Sequence, residues 1–468
     1  MDDLPDEIIS TIFGYCDPPD IENLRLTCKT TLRVANEHLL PEVVLFMHRE
    51  SLKACAGVAA HPVFSKTAKS LWIQADRPQE KTFHEWECDC MATVYSAARA
   101  RACIEIEYSG RHNNLTSEQK DTAQTALERE LKLKAKHEAQ ALSTEQVQEH
   151  FDHAVRLFSE TKEIFDDGSL STCLRAILEH CPNLDTVDLT MGGHIRTRTT
   201  RHNRGFKLGR LSPSKDLDYH NPGESVTIKL VLAAAEANFE PRVVRLGHIS
   251  HLAFMHAGIT QNFQTFLDKV EVLEWEFSDP LVDTISESYE DDFDDIIEDF
   301  NQRENKFVPL MRATKKLKLL RLELPGYISE FPAVQLESVV SSILWQHLTH
   351  VSISSFKTNS TVLESFLLRH KATLMRVQLG QVDLQDGNWL DCFASFAGKL
   401  PNVLQFELRA EYRETANDPF RAWYDFGGLV GPDSSSNNIY GKRISRYVIA
   451  GGDECPPRPA TQEDNYTD

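Results

Sequence analysis

Four residues of types that bind zinc lie in one stretch of the chain: His84, Cys88, Cys90 and Cys103. Zinc sites usually take four ligands and space their cysteines as Cys-x2-Cys or in a similar pattern. Here a single residue separates the first two thiols, and the third is distant. This spacing favours cysteines that pack in a protein interior, so we predict no metal ion.

The sequence contains none of the common catalytic signatures: no Gly-x-Ser-x-Gly, no phosphate loop, no His-Glu-x-x-His and no dinucleotide fingerprint. Acidic residues are plentiful, but abundance does not single out an acid–base pair. A reactive thiol needs an electropositive setting, and Cys28 is interpreted instead as a core residue of a helical module. We therefore predict a protein that is not an enzyme and binds no cofactor.

The segment 194–215 is strongly basic and contains no acidic residue. Guanidinium groups pair bidentately with carboxylates and phosphates, so this segment could capture an acidic or phosphorylated protein segment. Alternatively, it pairs with the acidic segment of the same chain or is simply solvated. The residues considered as substrate contacts are Arg196, Arg198, Arg201, Arg204, Lys207 and Arg210.

The segment 279–300 has the opposite character, with ten acidic residues and no Lys or Arg. Its apolar residues Phe293, Ile296, Ile297 and Phe300 have helical spacing. We predict a short amphipathic helix that packs on the rest of the protein.

Composition and charge exclude several kinds of binding partner and cellular location. The formal net charge of -20 disfavours binding to nucleic acid or to an anionic membrane. No stretch approaches 18 apolar residues, so no transmembrane helix is predicted. The acidic start of the chain predicts no signal peptide. Ten cysteines without regular spacing indicate reduced thiols and a cytoplasmic or nuclear location, or both.

The first 46 residues predict three short helices. Pro5 suits a first helical turn, and an apolar stripe follows it up to Phe13. Pro18-Pro19 ends this helix, and two more are predicted at about 19–27 and 29–45. So small a module cannot hide all its apolar surface, which indicates a docking site for another protein.

Two runs in this module resemble an F-box: Leu4-Pro5-x-Glu7-Ile8-Ile9-x-x-Ile12-Phe13 and Leu24-Arg25-Leu26-x-Cys28-Lys29. Cys16 and Thr31 stand where that family commonly has Leu and Trp. The resemblance implies docking onto a Skp-type adaptor, which joins a cullin scaffold in an SCF ubiquitin ligase. An interaction scaffold outside any ligase is the alternative. Residues expected to form or support the docking face are Leu4, Pro5, Ile8, Ile12, Leu24 and Leu26.

An apolar triplet, Leu-x-x-Leu-x-Leu with aliphatic or aromatic substitutes, recurs through the rest of the chain. Its last two positions alternate, as a strand with one buried face requires. The final positions Leu322, Ile353, Leu379 and Leu408 are 31, 26 and 29 residues apart, typical of one strand plus one helix per unit. The triplets are 184/187/189, 249/252/254, 270/273/275, 317/320/322, 348/351/353, 374/377/379 and 403/406/408.

Segments with helical spacing lie between the triplets, and Pro182-Asn183 and Pro401-Asn402 join helix to strand. This arrangement resembles the leucine-rich repeats attached to many F-box proteins. We predict an α/β fold in which the F-box-like module precedes an irregular leucine-rich-repeat solenoid, with strands on the concave face and helices on the convex face. The solenoid would bind an unidentified protein substrate. The alternative is an unrelated α/β domain with leucine-rich strands.

The predicted organisation has four parts. The docking module occupies 1–46, and a helical spacer occupies 47–168, including an amphipathic helix that carries Phe151, Val155 and Phe158. The solenoid occupies 169–426, with the basic and acidic segments as insertions. The tail, 427–468, is rich in Gly, Ser, Asn and Pro, which predicts that it is mostly disordered.

Overall fold

One open sheet of eleven strands organises the described part of the chain. The structure is a computed structural model. It describes residues 4–16, 18–75, 80, 82–85, 129, 133, 144–191, 222–256, 258–277, 297–302, 305–325, 333–340, 343–414, 422–425, 439–452 and 454–457.

The strands are β1 Glu42–Phe46, β2 Ser70–Gln74, β3 Thr186–Thr190, β4 Val243–Ile249, β5 Val272–Phe277, β6 Leu319–Glu323, β7 Val334–Gln335, β8 His350–Thr358, β9 Arg376–Leu384, β10 Gln405–Glu414 and β11 Ala422–Asp425.

The helices are α1 Asp6–Phe13, α2 Pro18–Leu24, α3 Lys29–Asn36, α4 Arg49–Ala60, α5 Phe64–Thr67, α6 Thr144–Asp166, α7 Ser169–His180, α8 Pro222–Ala237, α9 Leu252–Met255, α10 Thr260–Leu267, α11 Phe307–Ala313, α12 Glu337–Val340, α13 Ser360–Arg369, α14 Trp389–Phe396 and α15 Ile439–Ala450.

The strands lie in the sheet in the order in which they occur in the chain. The exception is β7, which pairs only with the far end of β8, so that β6 and β8 are neighbours. All strand pairs are parallel apart from β10 and β11, which are antiparallel. The fold is therefore mixed α/β with a parallel sheet, as predicted, and the sheet is not closed into a barrel.

Two rows of residues across the sheet form its buried face. The first row runs from Val43 through Val187 to Phe406, and the second from Leu45 through Leu189 to Leu408. Every member of both rows is apolar and buried, and all belong to one hydrophobic cluster with the helices. Helices of neighbouring units contact one another along most of this layer. Each unit thus covers only part of the apolar surface, and its neighbours cover the rest.

The predicted Pro-Asn joins between helix and strand connect adjacent units. The side-chain amide of Asn183 donates to the backbone carbonyl of Lys66, on the short helix α5 that precedes β2, at 2.6 Å. Asn402 donates in the same way to Ala372, just before β9, at 2.8 Å. Because proline ends the helix and asparagine then bonds to the preceding unit, the pair sets where the next strand begins.

Three neighbouring strands share a kink beyond their fifth residue. Ser355, Gln381 and Ala410 all have left-handed backbone, with φ of 63°, 53° and 56°. Ser355 and Gln381 lie opposite each other, and their side chains are joined by a buried hydrogen bond of 2.9 Å. A left-handed non-glycine residue is strained, so this shared kink marks the point where β8, β9 and β10 change direction.

Helix α6 covers the first end of the sheet. Thr161 donates to the carbonyl of Met47, just after β1, at 3.1 Å, and Arg49 pairs with Glu163 and Asp167 at 2.9 Å each. The helix was predicted to carry Phe151, Val155 and Phe158 on its apolar stripe. The prediction is wrong for Val155, which is exposed, since the buried side consists of Ala154, Leu157, Thr161 and Ile164.

Helix α15 packs against β10 and α14 at the other end of the sheet. Its residues Tyr440, Ile444 and Val448 are buried. Gly398 and Gly451, both with positive φ, lie so close that a Cβ on Gly398 would be 3.2 Å from the Cα of Gly451. The prediction of a mostly disordered tail is therefore wrong for 439–450, where a helix with one buried side follows a segment rich in polar residues.

The sheet begins earlier than predicted. Strand β1 occupies residues assigned to the docking module, and β2 lies in the predicted helical spacer. The third helix of the module ends at Asn36 rather than near Leu45, because Val43 and Leu45 alternate with less buried residues and pair with β2.

One predicted triplet was misplaced. The strand in that region is β4, whose buried residues are Val244, Leu246 and Ile249. Leu252 and Phe254 lie on the short helix α9 after the strand. The true triplet begins with Pro241, which does not fit a search for aliphatic or aromatic first positions.

Among the described helices, none is long and apolar enough to cross a membrane.

The packing of α15 can be tested with two matched substitutions on that helix. Ile444 is fully buried and Ile439 is 74% exposed. We expect Ile444→Ala to lower the free energy of unfolding of the full chain by about 2–5 kcal/mol, and Ile439→Ala to change it by less than about 0.5 kcal/mol. Urea unfolding measures both. Equal effects from the two variants would show that α15 is not part of the folded unit.

Candidate functional site: two interaction surfaces

The N-terminal helices α1, α2 and α3 form a core of their own. Ile9 and Phe13 of α1 pack with Ile21, Val34 and Ala35, apart from the core of the sheet. Asp6 pairs with Arg33, and Ser10 is hydrogen bonded to His38 at 2.8 Å. These contacts tie the start and the middle of α1 to α3 and its C-terminal turn, and the shared core joins all three helices into one small unit.

Helix α1 carries a second apolar stripe beside the one it buries. It consists of Ile8 and Ile12 on the helix, Leu4 just before it and Tyr15 just after it, spaced at the intervals of three or four residues that place side chains on one side of a helix. Ile8 is 48% exposed and Tyr15 89%, while Ile12 is half-buried. A run of apolar side chains left in solvent on so short a helix marks a surface that another molecule covers. We call Leu4, Ile8, Ile12 and Tyr15 the α1 stripe.

A reciprocal cap holds the start of α3. The Cys28 sulfur accepts from the backbone N–H of Thr31, and the Thr31 hydroxyl accepts from the backbone N–H of Cys28 at 3.1 Å. Thr31 is fully buried, and its hydroxyl is also within 2.9 Å of that of Thr27. Thr31 therefore has a local structural role in joining the turn before α3 to the helix.

The structure places the six predicted docking residues in two settings. Leu4, Pro5, Ile8 and Leu26 are exposed. Ile12 is half-buried on the α1 stripe, and Leu24 packs against the core of the module. Sequence reasoning missed Tyr15, although its position seven residues after Ile8 is a helical spacing that could have identified it.

Comparison with known protein families bears directly on these helices. The model of the F-box-like family matches residues 1–41. Residues 1–41 are an F-box-like domain. The match covers α1, α2 and α3 and ends just before β1, which agrees with the separate core of the module. No curated protein matches the chain.

A second surface is the face of the sheet opposite the buried apolar rows. We call it the open face, because its charged residues on β4 to β6 are half-buried or exposed. Its middle row carries the residues Asp188, Arg245, Glu274 and Arg321 on four adjacent strands, β3 to β6. Arg245 is bonded to Asp188 at 3.0 Å and to Glu274 at 2.9 Å, and Arg321 lies 3.8 Å from Glu274. Burial of Arg245 opposes its charge, but the two carboxylates outweigh that effect and raise its pKa.

A parallel ladder lies at the edge where these strands begin. Glu271 accepts from Lys318 at 2.8 Å and from Arg242 at 3.0 Å. Hydrogen bonds from Lys318 and then Arg242 hold the pKa of the Glu271 carboxyl below its usual range. Together with Asp185, these residues form a second ladder beside the middle row, and in both ladders the sign of the charge alternates from each strand of β3 to β6 to the next.

This alternation of sign is visible in the sequence and was missed. The repeated motif is charge-x-x-charge: Asp185-Thr-Val-Asp188, Arg242-Val-Val-Arg245, Glu271-Val-Leu-Glu274 and Lys318-Leu-Leu-Arg321. In each motif the third residue is the first of the two buried strand positions. A search for apolar residues alone passes over the charges on either side of it.

Several predicted site residues lie outside the described residues. These are Cys88, Cys90 and Cys103 of the zinc-type cluster, and Arg196, Arg198, Arg201, Arg204, Lys207 and Arg210 of the basic segment. In the chain, the basic segment follows β3 and the acidic segment follows β5. Of the acidic segment, residues 297–300 are helical, and Ile297 and Phe300 are buried against the sheet core.

Substitution of Thr31 tests the cap of α3. We expect Thr31→Val to destabilise the F-box-like domain by about 1–2 kcal/mol, because it leaves the N–H of Cys28 without its acceptor. Hydrogen exchange of the full chain, followed over residues 4–41, measures this as faster exchange. Thr30→Val changes the adjacent, half-buried threonine and should leave exchange unchanged. Equal acceleration by both would argue against the cap.

Substitution of Asp188 tests the charge ladder on the open face. Asp188 is buried, whereas Arg245 is partly exposed. We expect Asp188→Ala to lower the free energy of unfolding by about 1–3 kcal/mol, less than for a fully buried pair, because solvent screens the arginine. Asp185→Ala, just before the same strand, should cost less than about 1 kcal/mol. Comparable losses in thermal unfolding would contradict a special role for Asp188.

Proposed function

We propose that the protein is a non-catalytic, substrate-recognition subunit of an SCF-type E3 ubiquitin ligase. In this proposal the F-box-like domain binds a Skp-type adaptor, and the adaptor joins a cullin scaffold. The sheet domain is an irregular leucine-rich-repeat solenoid that holds a protein substrate on its open face. The whole would act in the cytoplasm, the nucleus or both.

The α1 stripe is the observation that carries this proposal. Ile9 and Phe13 already fill the core of the F-box-like domain, so the neighbouring stripe has no role inside it. Covering exposed apolar side chains contributes about 25 cal/mol per Å² buried. An adaptor that covers the stripe would therefore gain affinity without any change in the fold of the domain.

The solenoid part of the proposal is supported by the topology. Three features are typical of repeat proteins. The strands follow the chain order, their register is regular and parallel, and the period is 26 to 31 residues where no insertion intervenes. Terminal units of such stacks need caps, and helices α6 and α15 lie at the two ends. An extended open surface of this kind suits a partner that is itself a protein.

A charge placed on the α1 stripe tests adaptor binding. We expect Ile8→Glu to weaken binding of a recombinant Skp-type adaptor to the purified full chain by at least about tenfold, because the carboxylate would be buried without a partner. Leu232→Glu is the matched control, since Leu232 is similarly exposed but lies on α8. Biolayer interferometry measures both.

Undiminished binding by the Ile8→Glu protein would refute docking through the α1 stripe. Recovery of the wild-type protein from cells, with identification of the proteins bound to it, distinguishes a ligase subunit from a scaffold that uses the same surfaces. Cullin in the recovered complex supports the ligase, and adaptor without cullin supports the scaffold.

A further inference from the structure

The open face of the sheet divides into two chemically different halves. On β3 to β6 the charged side chains are paired with one another across adjacent strands. A partner would have to break those pairs to use them, which is costly for residues that are partly buried. This half of the face is therefore poorly suited to recognising a charged partner.

On β8 to β10 the charge-x-x-charge motif disappears. The second position of the motif holds Ser352 on β8, Gln378 on β9 and Glu407 on β10. The first position, just before each of these strands, holds Thr349, Met375 and Leu404. Glu407 is already paired with Arg409 of its own strand at 2.9 Å. The ladder of opposite charges thus stops at β6.

One cation in this half lacks a carboxylate partner among the described residues. Arg376, the first residue of β9, is exposed, and no ion pair involves it. It lies in register with His350 on β8 and Gln405 on β10, neither of which is acidic. A guanidinium without a partner on an otherwise paired face is available to an external carboxylate.

Two exposed apolar side chains adjoin this cation. Met375 precedes it in the chain and is 39% exposed, and Leu404 is 72% exposed. The backbone N–H of Leu404 donates to the carbonyl of Met375, so the two residues are neighbours on adjacent strands. Methionine and arginine are enriched at protein interfaces, where apolar contact gives affinity and charge gives orientation.

We propose that these residues of β8 to β10 bind an extended protein segment that places an aspartate or glutamate on Arg376 and an adjacent apolar side chain on Met375 and Leu404. Ser352 and Gln378 offer uncharged hydrogen-bonding groups alongside. The inference rests on the proposed use of the open face for a protein substrate, and it specifies where on that face and by what chemistry the substrate is held.

Selection from a random peptide phage library on the purified full chain tests this proposal. We expect the wild-type protein to enrich peptides with Asp or Glu beside Leu, Ile, Phe or Met. A synthetic copy of the best peptide should bind Arg376→Glu at least about tenfold more weakly, because attraction becomes repulsion. Selection on Arg376→Glu should lose the acidic residues and gain Lys or Arg at the same place.

Arg312→Glu is the matched control. Arg312 is an exposed arginine on α11, in the helical layer, and the substitution changes the net charge equally. It should leave peptide affinity unchanged. A Met375→Ser, Leu404→Ser double variant should weaken binding while keeping the preference for acidic peptides.

The proposal is overturned if no acidic enrichment occurs, if Arg376→Glu binds the selected peptide as well as wild type, or if Arg312→Glu weakens binding equally. These outcomes are independent of adaptor binding. Failure here with the adaptor still bound leaves the ligase proposal standing. Arg376-dependent peptide binding without adaptor binding would retain the peptide site alone.

Discussion

The parallel pairing of strands that follow one another in the chain is the constraint on which the rest of the structure depends. A parallel pair needs a crossover between its strands, and in this chain most crossovers supply a helix. Those helices are what buries the two apolar rows of the sheet. Because each helix also contacts its neighbours, no unit has a complete core by itself, and the two ends of the stack require separate covers.

The charged residues on the open face also help to determine which strands are neighbours in the sheet. An apolar row is compatible with any neighbour of similar size, so it does not by itself determine which strand lies beside which. The charged row specifies the neighbours, since each of its members lies opposite a residue of the other sign. These members are Asp188, Arg245, Glu274 and Arg321. Like charges directly across adjacent strands are destabilising. The pairing of β3 to β6 is thus specified on both faces.

Much of this could be predicted from the sequence, and the failures have physical reasons. In six of the seven predicted triplets all three residues are buried, and the last two lie on a strand, where a sheet with one buried face imposes a period of two. The same pattern at Leu40/Val43/Leu45 and Ala68/Leu71/Ile73 was missed because helical spacing fits short apolar runs equally well. The F-box-like match confirms the interpretation of the first residues. The docking residues themselves stay a prediction.

Contacts between distant parts of the chain could not be predicted from sequence patterns, which describe only residues that are close in the chain. Thr161 reaches a carbonyl 114 residues earlier, and the buried side of α6 is set by that contact rather than by its most apolar residues. The approach of Gly398 to Gly451 likewise depends on where two helix ends meet. Neither glycine is distinguishable in the sequence from one in a loop.

The alternation of charge sign along β3 to β6 limits how many repeat units this part of the sheet can lose or gain. Deleting the unit that contains β4 would bring Asp188 beside Glu274, and Asp185 beside Glu271, so like charges would meet in both ladders. Deleting β4 and β5 together would bring Asp188 beside Arg321 and preserve the alternation. In these two ladders the alternation of sign is therefore kept only when units are gained or lost in pairs. Beyond β6, where the two ladders end, single units are free of that restriction.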